Sequence, residues 1–329
     1  LARAQAGELG GEALRGEIVR MLTDAKSERM IRSFSDQWLN LRSWNTVAPS
    51  LKLYPRYNEL LDHYLPLETR AYLGHLIREN RPVTELIDSD YSFLNQRLAR
   101  HYGVPGIIGH ELRKVSFPPE VPRGGLLTMG SVLKITTDGY HTSPILRGAW
   151  ISKNLVGTPL SPPPADVEVI EPDHGEDAAT LREQIEQHKT SKTCIACHKS
   201  IDPYGFALEN FDATGQWRTS YRVEKPHAGT FQYRPQGYYH TVGKVDATGE
   251  IDGRPFDDVS GLKDVLLSDH RRIAYNFSKK FFEYATGVPP NLGQRLALFA
   301  MIPAEPRACG LRDLTTDVLV YALNGEPTR

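Results

Sequence analysis

Cysteine is scarce in this chain, with 3 residues in 329. So few cannot build a disulfide framework. No apolar run approaches the roughly 18 residues that a membrane-spanning helix needs, so no such span is expected. An excess of one charge is missing too: 39 basic and 40 acidic residues leave a net charge of −1. The two signs are mixed along the chain, which argues against a nucleic-acid surface. No Ser-His-Asp order, phosphate-binding loop or spaced carboxylate pair points to a hydrolase, and Asp257-Asp258 reads as a solvated turn. The chain opens on Leu1 with no visible signal peptide. It is read as a mature or truncated product whose upstream part is missing.

What is present suits ordinary buried cores, with 40% apolar and 24% charged residues. The fold class expected is mainly α. A helical domain (1–114) leads through an irregular connecting segment with a Pro-rich strap (115–170) to a further helical domain with a small β-hairpin insert (171–329). Met30, Phe34, Trp38 and Leu41 share one helical face. A second helix runs from Asn58 to Asn80, with Pro66 starting or kinking it. Thr84 is a plausible N-cap of a short helical turn, and Asn95 to Tyr102 reads as a helix closed by Gly103. His63, His75 and His101 read as surface or cap histidines. Thr142-Ser143-Pro144 opens a helix towards Leu155. Pro159 to Pro164 must run extended, as a linker or as a strap over an aromatic or cofactor edge. Thr180 to Thr190 is expected to be helical, and Asp202-Pro203 with Gly205 to form a turn. A hairpin is expected from Val242 to Ile251 around Ala247-Thr248-Gly249. The last helical stripes are Ile273, Phe277, Phe281, Ala285 and Leu311, Leu314, Val318, Ala322.

The most informative stretch is Cys194-Ile195-Ala196-Cys197-His198. Cys-x-x-Cys-His is the attachment signature of c-type haem. Two thiols add to the vinyl groups of one porphyrin edge, and two intervening residues let one helical turn present both sulfurs. His198 then sits below the macrocycle as proximal ligand, its other ring nitrogen donating to a carbonyl near Pro203 or to water. A structural zinc site wants four protein ligands, and only Cys309 remains as a third thiol, read as buried and inert. A thioredoxin-like site would want a βαβ context, which is not visible.

The sixth iron position decides between an electron carrier and an enzyme. Met129, in a Gly-flanked loop, is the first candidate, though it reads equally as a core methionine. His188 follows, better read as a capping or propionate-bonding histidine; His141 and Met301 are weaker candidates. Arg147 and Arg218 are possible propionate partners, because guanidinium offers paired donors, or else surface ion pairs. Phe206, Leu208 and Phe211 could form the apolar wall that keeps water from the iron.

A longer string surrounds the motif: His188, Cys194-x-x-Cys197-His198, Asp202-Pro203-x-Gly205-Phe206-Ala207-Leu208-Glu209-Asn210-Phe211-Asp212 and Gly215-x-Trp217-Arg218. It resembles the large haem-c-containing multidomain proteins of unknown function from planctomycetes, myxobacteria and related bacteria. Asp36-Gln37-Trp38-Leu39, Thr142-Ser143-Pro144-x-x-Arg147-Gly148 and Phe281-x-x-Tyr284-Ala285-x-Gly287 carry the resemblance along nearly the whole chain. It implies that residues 171–329 form a c-type cytochrome-like domain with one covalent haem c, in an exported bacterial protein, periplasmic or extracellular. The residues from Tyr221 to Tyr239 depart from the usual compact hairpin of such proteins. The activity expected is electron transfer with a redox partner protein or an upstream cytochrome domain. The alternative is a haem enzyme, peroxidase-like or oxidising an extracellular polymer, with an open sixth iron site.

Overall fold

Apolar residues at three- and four-residue steps dominate the chain, and they fold as helices. The computed structural model describes residues 2–158, 181–188, 192–225, 239–305 and 309–325. The helices are α1 (Ala2–Gln5), α2 (Gly11–Thr23), α3 (Glu28–Trp38), α4 (Glu59–Arg78), α5 (Gln96–Tyr102), α6 (Gly130–Ile135), α7 (Pro144–Ile151), α8 (Leu181–His188), α9 (Lys192–Phe206), α10 (Val259–Leu267), α11 (His270–Thr286), α12 (Leu292–Ala300) and α13 (Leu311–Asn324). Three antiparallel pairs join β1 (Tyr91–Leu94) to β2 (Arg113–Ser116), β3 (Tyr221–Glu224) to β4 (Tyr239–Val242), and β5 (Gly249–Ile251) to β6 (Arg254–Phe256). The fold is mainly α with small hairpins, as expected.

Local chemistry explains most borders. The Asn95 side chain accepts from the Arg97 and Leu98 amides, and Gly103 closes α5 in the left-handed region (φ 78°). Ser143 caps α7 through the Leu146 amide, with Pro144 at its first turn. Other expectations shift. Helix α4 runs through Pro66. The short turn near Thr84 spans Val83–Leu86 and is preceded by Pro82, so Thr84 lies inside it. The expected Val242–Ile251 hairpin is not formed: β4 pairs backwards with β3, and the true turn is Asp252-Gly253 (φ 52° and 76°) between β5 and β6. Two successive positive φ values suit a two-residue hairpin turn. The Pro-rich strap lies outside the described residues.

One large core runs through all three stretches, 1–114, 115–170 and 171–329. It joins Leu14, Phe34 and Leu76 to Leu133 and Ile151, and these to Phe277, Phe281 and Val318. Phe34 stacks on Trp38 (5.3 Å between centroids) and meets Phe277 and Phe281 edge-on at 5.7 and 4.9 Å. Thus α11 and α13, downstream of the Cys-x-x-Cys-His motif, pack on the N-terminal helices α2, α3 and α4. A second core gathers Trp44, Tyr57, Leu61 and Leu65 around α5.

Buried polar groups tie these layers together. Glu68 accepts from Ser92 (2.6 Å) and Tyr102 (2.5 Å), and burial pushes its carboxyl up to about 7. His101 is not a surface histidine: it is buried, and its Nε2 lies 2.8 Å from the Thr214 carbonyl. Burial lowers its pKa to about 4, so the neutral ring donates to that carbonyl. His63 is exposed and His75 half-buried, in keeping with the surface reading.

Candidate metal centre

Helix α9 carries the whole motif, from Lys192 to Phe206. The expected turn at Asp202-Pro203 is absent, and the helix continues through Pro203. Proline removes one amide donor from a helix; just before it, a side-chain pair spans one helical turn. His198 Nδ1 lies 2.9 and 3.1 Å from the two carboxylate oxygens of Asp202. Asp202 is 2% exposed and the His198 side chain 13%. A carboxylate only accepts, so Nδ1 carries the proton. In the neutral ring the lone pair then lies on Nε2, the nitrogen that can bind iron. The donor expected to face a carbonyl near Pro203 faces a carboxylate instead. Such carboxylate–histidine pairs orient a metal-binding ring and raise its basicity. The side chains of Cys194, Cys197 and His188 lie outside the described residues; the backbone of all three is helical.

Helix α9 is seated on α7 at very close range. A Cβ on Gly148 would overlap the Ile201 carbonyl, and one on Gly205 would overlap the Pro144 carbonyl. Gly205 is therefore a helix-contact residue rather than a turn residue. Phe206 joins Ile185 of α8 and Ile145 of α7 in a small satellite cluster, with the Arg182 guanidinium 3.8 Å from its ring centroid. Leu208 and Phe211 belong to the main core.

The residues after α9 hold a buried ionic knot. Arg147 donates to Glu209 (2.8 Å) and to the carbonyls of Leu208 (2.7 Å) and Asp212 (3.1 Å). Arg218 donates to the other Glu209 oxygen (2.9 Å), to the Glu209 carbonyl (2.8 Å) and to Thr142 Oγ1 (2.7 Å). Glu209 is fully buried. The knot gives both arginines a carboxylate partner within the chain. It also removes the surface ion-pair alternative, since Arg147 is 1% and Arg218 8% exposed. Asp212 then organises the next turn, accepting from the amides of Thr214 and Gln216 at 2.8 and 3.0 Å.

The sixth-ligand candidates are scattered. Met129 is 2% exposed, packs in the main core and borders a small void with Glu68, Ser92 and Tyr102. Met301 is equally buried in that core, at the end of α12. His141 Nδ1 lies 3.5 Å from Asp138. Cys309 is buried, as expected. Asp202 is the residue that sequence reasoning missed as a partner of the histidine. Its signal was the four-residue spacing from His198, hidden by Pro203, which suggested that the helix had already ended.

Three regions of the chain match families of unknown function: residues 1–104 match DUF1592, residues 123–221 DUF1588 and residues 252–300 DUF1585. The motif helix falls within the second match. These families agree with the resemblance drawn from the sequence strings. No curated protein and no solved structure matches the chain. Among the described residues, no helix is long and apolar enough to cross a membrane.

Proposed function

We propose that this chain is a c-type cytochrome module that transfers electrons, with one haem c attached through Cys194 and Cys197 and His198 as proximal ligand. The observation that carries the reading is the buried Asp202 carboxylate on Nδ1 of the histidine that ends the Cys-x-x-Cys-His motif. When bound, haem supplies a one-electron iron centre. The chain's own residues do the rest. Asp202 holds the imidazole in the tautomer with its lone pair on Nε2. Gly148 and Gly205 let α7 buttress α9, so the ring is presented from a rigid element. The Glu209 knot anchors the segment that follows.

Attachment to such a motif takes place outside the bacterial cytoplasm, so we place the protein in the periplasm or beyond it. Its electron partner is then a second redox protein or an upstream cytochrome domain. A second reading, a haem enzyme with an open sixth position, draws on the same carboxylate: a more basic proximal imidazole favours ferric iron. Absorption spectra of the oxidised and reduced protein, with and without carbon monoxide, separate the two. A low-spin haem c spectrum unaffected by carbon monoxide supports the carrier. Rapid carbon monoxide binding to a high-spin ferrous form supports the enzyme.

A further inference from the structure

A groove of about 1100 Å³ lies away from the motif helix, where the three family-matched regions meet. Gln37 comes from the first region, Lys153 from the second, and Lys279 and Arg295 from the third. Binding sites favour such junctions.

The floor is built rather than left over. Beyond α7 the chain winds as a π-helical turn, Ser152–Val156. Turns of this kind recur at functional sites because they free backbone carbonyls and re-aim side chains. Here the Asn154 carbonyl accepts from both Trp38 Nε1 (2.8 Å) and Asn276 Nδ2 (2.7 Å). Gly157 follows with φ 77°, pressed so closely on Asn276 that a side chain would collide with its amide. Lys153 sits on this π turn, so its backbone rises from a fixed base at the groove.

The rim is cationic. Lys153, Lys279, Lys280 and Arg295 line the groove against a single acid, Glu283, which lies 3.6 Å from Lys280. Among the described residues, Lys153, Lys279 and Arg295 make no ion pair. Lys279 Nζ lies 4.8 Å from the Tyr275 ring centroid. Burial, followed by repulsion from Lys280, Arg295 and Arg272, holds its ammonium below the usual lysine range. Like charges gathered in a concave site cost stability and focus a positive potential on it.

The geometry points to a binding site for a small multivalent oxyanion in this groove, with Lys153, Lys279 and Arg295 as its charged contacts. Its chemistry is two or more carboxylate or phosphoryl groups on a molecule small enough for the cavity. The site stands independently of haem.

Calorimetric titration of the full chain with citrate and, separately, with inorganic pyrophosphate tests this. At least one should bind once per chain, and the tighter of the two identifies carboxylate or phosphoryl as the natural group. Lys153→Gln and Arg295→Gln, both at exposed positions, should each weaken that binding about tenfold, the loss of one charge-assisted contact. Arg42→Gln, on the wall of a different cleft, should leave it unchanged. The proposal is overturned if neither anion binds saturably, if the groove variants bind as well as the parent, or if Arg42→Gln weakens binding equally.

Discussion

A carboxylate behind a metal-binding imidazole alters the electron density offered to the metal. Asp202→Asn keeps the side-chain shape and removes the charge. In the haem-loaded protein it should raise the midpoint potential by about 60 mV or more, a tenfold change for one electron; an unchanged potential would show that the carboxylate does not act on the iron. His101 gives a second residue-level outcome. Its folded pKa of about 4 lies below the ordinary 6.5 because the ring is buried. Between those values the unfolded chain binds more protons, so stability is full above pH 6.5 and falls as pH drops towards 4. The slope from this group approaches ~1.4 kcal/mol per pH unit. His101→Gln should flatten the acid side of a urea-midpoint profile between pH 7 and pH 5, and an unaltered profile would remove His101 from the acid response. At this scale the sequence was readable where residue type decides the environment, as at Cys309, which is buried as expected. Arg147 and Arg218 were not, because one dimension shows two guanidinium groups and not the buried Glu209 that lies between them.

Elements were legible where capping chemistry marks their ends. Asn95 with Gly103, and Ser143 with Pro144, fall where their side chains or positive φ require. Pro203 misled, because burial of α9 against α7 outweighs one lost backbone bond. The four-residue strands β1 and β2 are too short to show an alternating pattern. Glycine substitutions separate these influences. Gly205→Ala should drive Cβ into the Pro144 carbonyl and cost about 1–3 kcal/mol, seen as a lower melting temperature and a lower haem yield. Gly16→Ala, in the interior of α2 with open space around it, should stabilise by about 0.5–1 kcal/mol. Equal effects of the two would mean that helix propensity, not the α7–α9 approach, governs Gly205.

At the scale of the whole molecule, the chain is bound by one shared core and by ionic knots between distant segments. Helical periodicity identifies which residues are apolar, yet not that α11 and α13 lie on α2, α3 and α4; that pairing is set by complementary surfaces such as the Phe34–Phe277–Phe281 cluster. The knot around Glu209 should be the most sensitive point. Glu209→Ala leaves two buried guanidinium groups without their carboxylate and should cost about 3–5 kcal/mol in a denaturant titration; a cost under about 1 kcal/mol would mean that water replaces the carboxylate. The central claim is tested most directly by expressing the chain in a bacterial periplasm that matures haem c, then measuring haem retained on the denatured polypeptide. One haem per chain, lost in Cys197→Ala, is the predicted result; a colourless protein, or zinc held by those thiols, would contradict it.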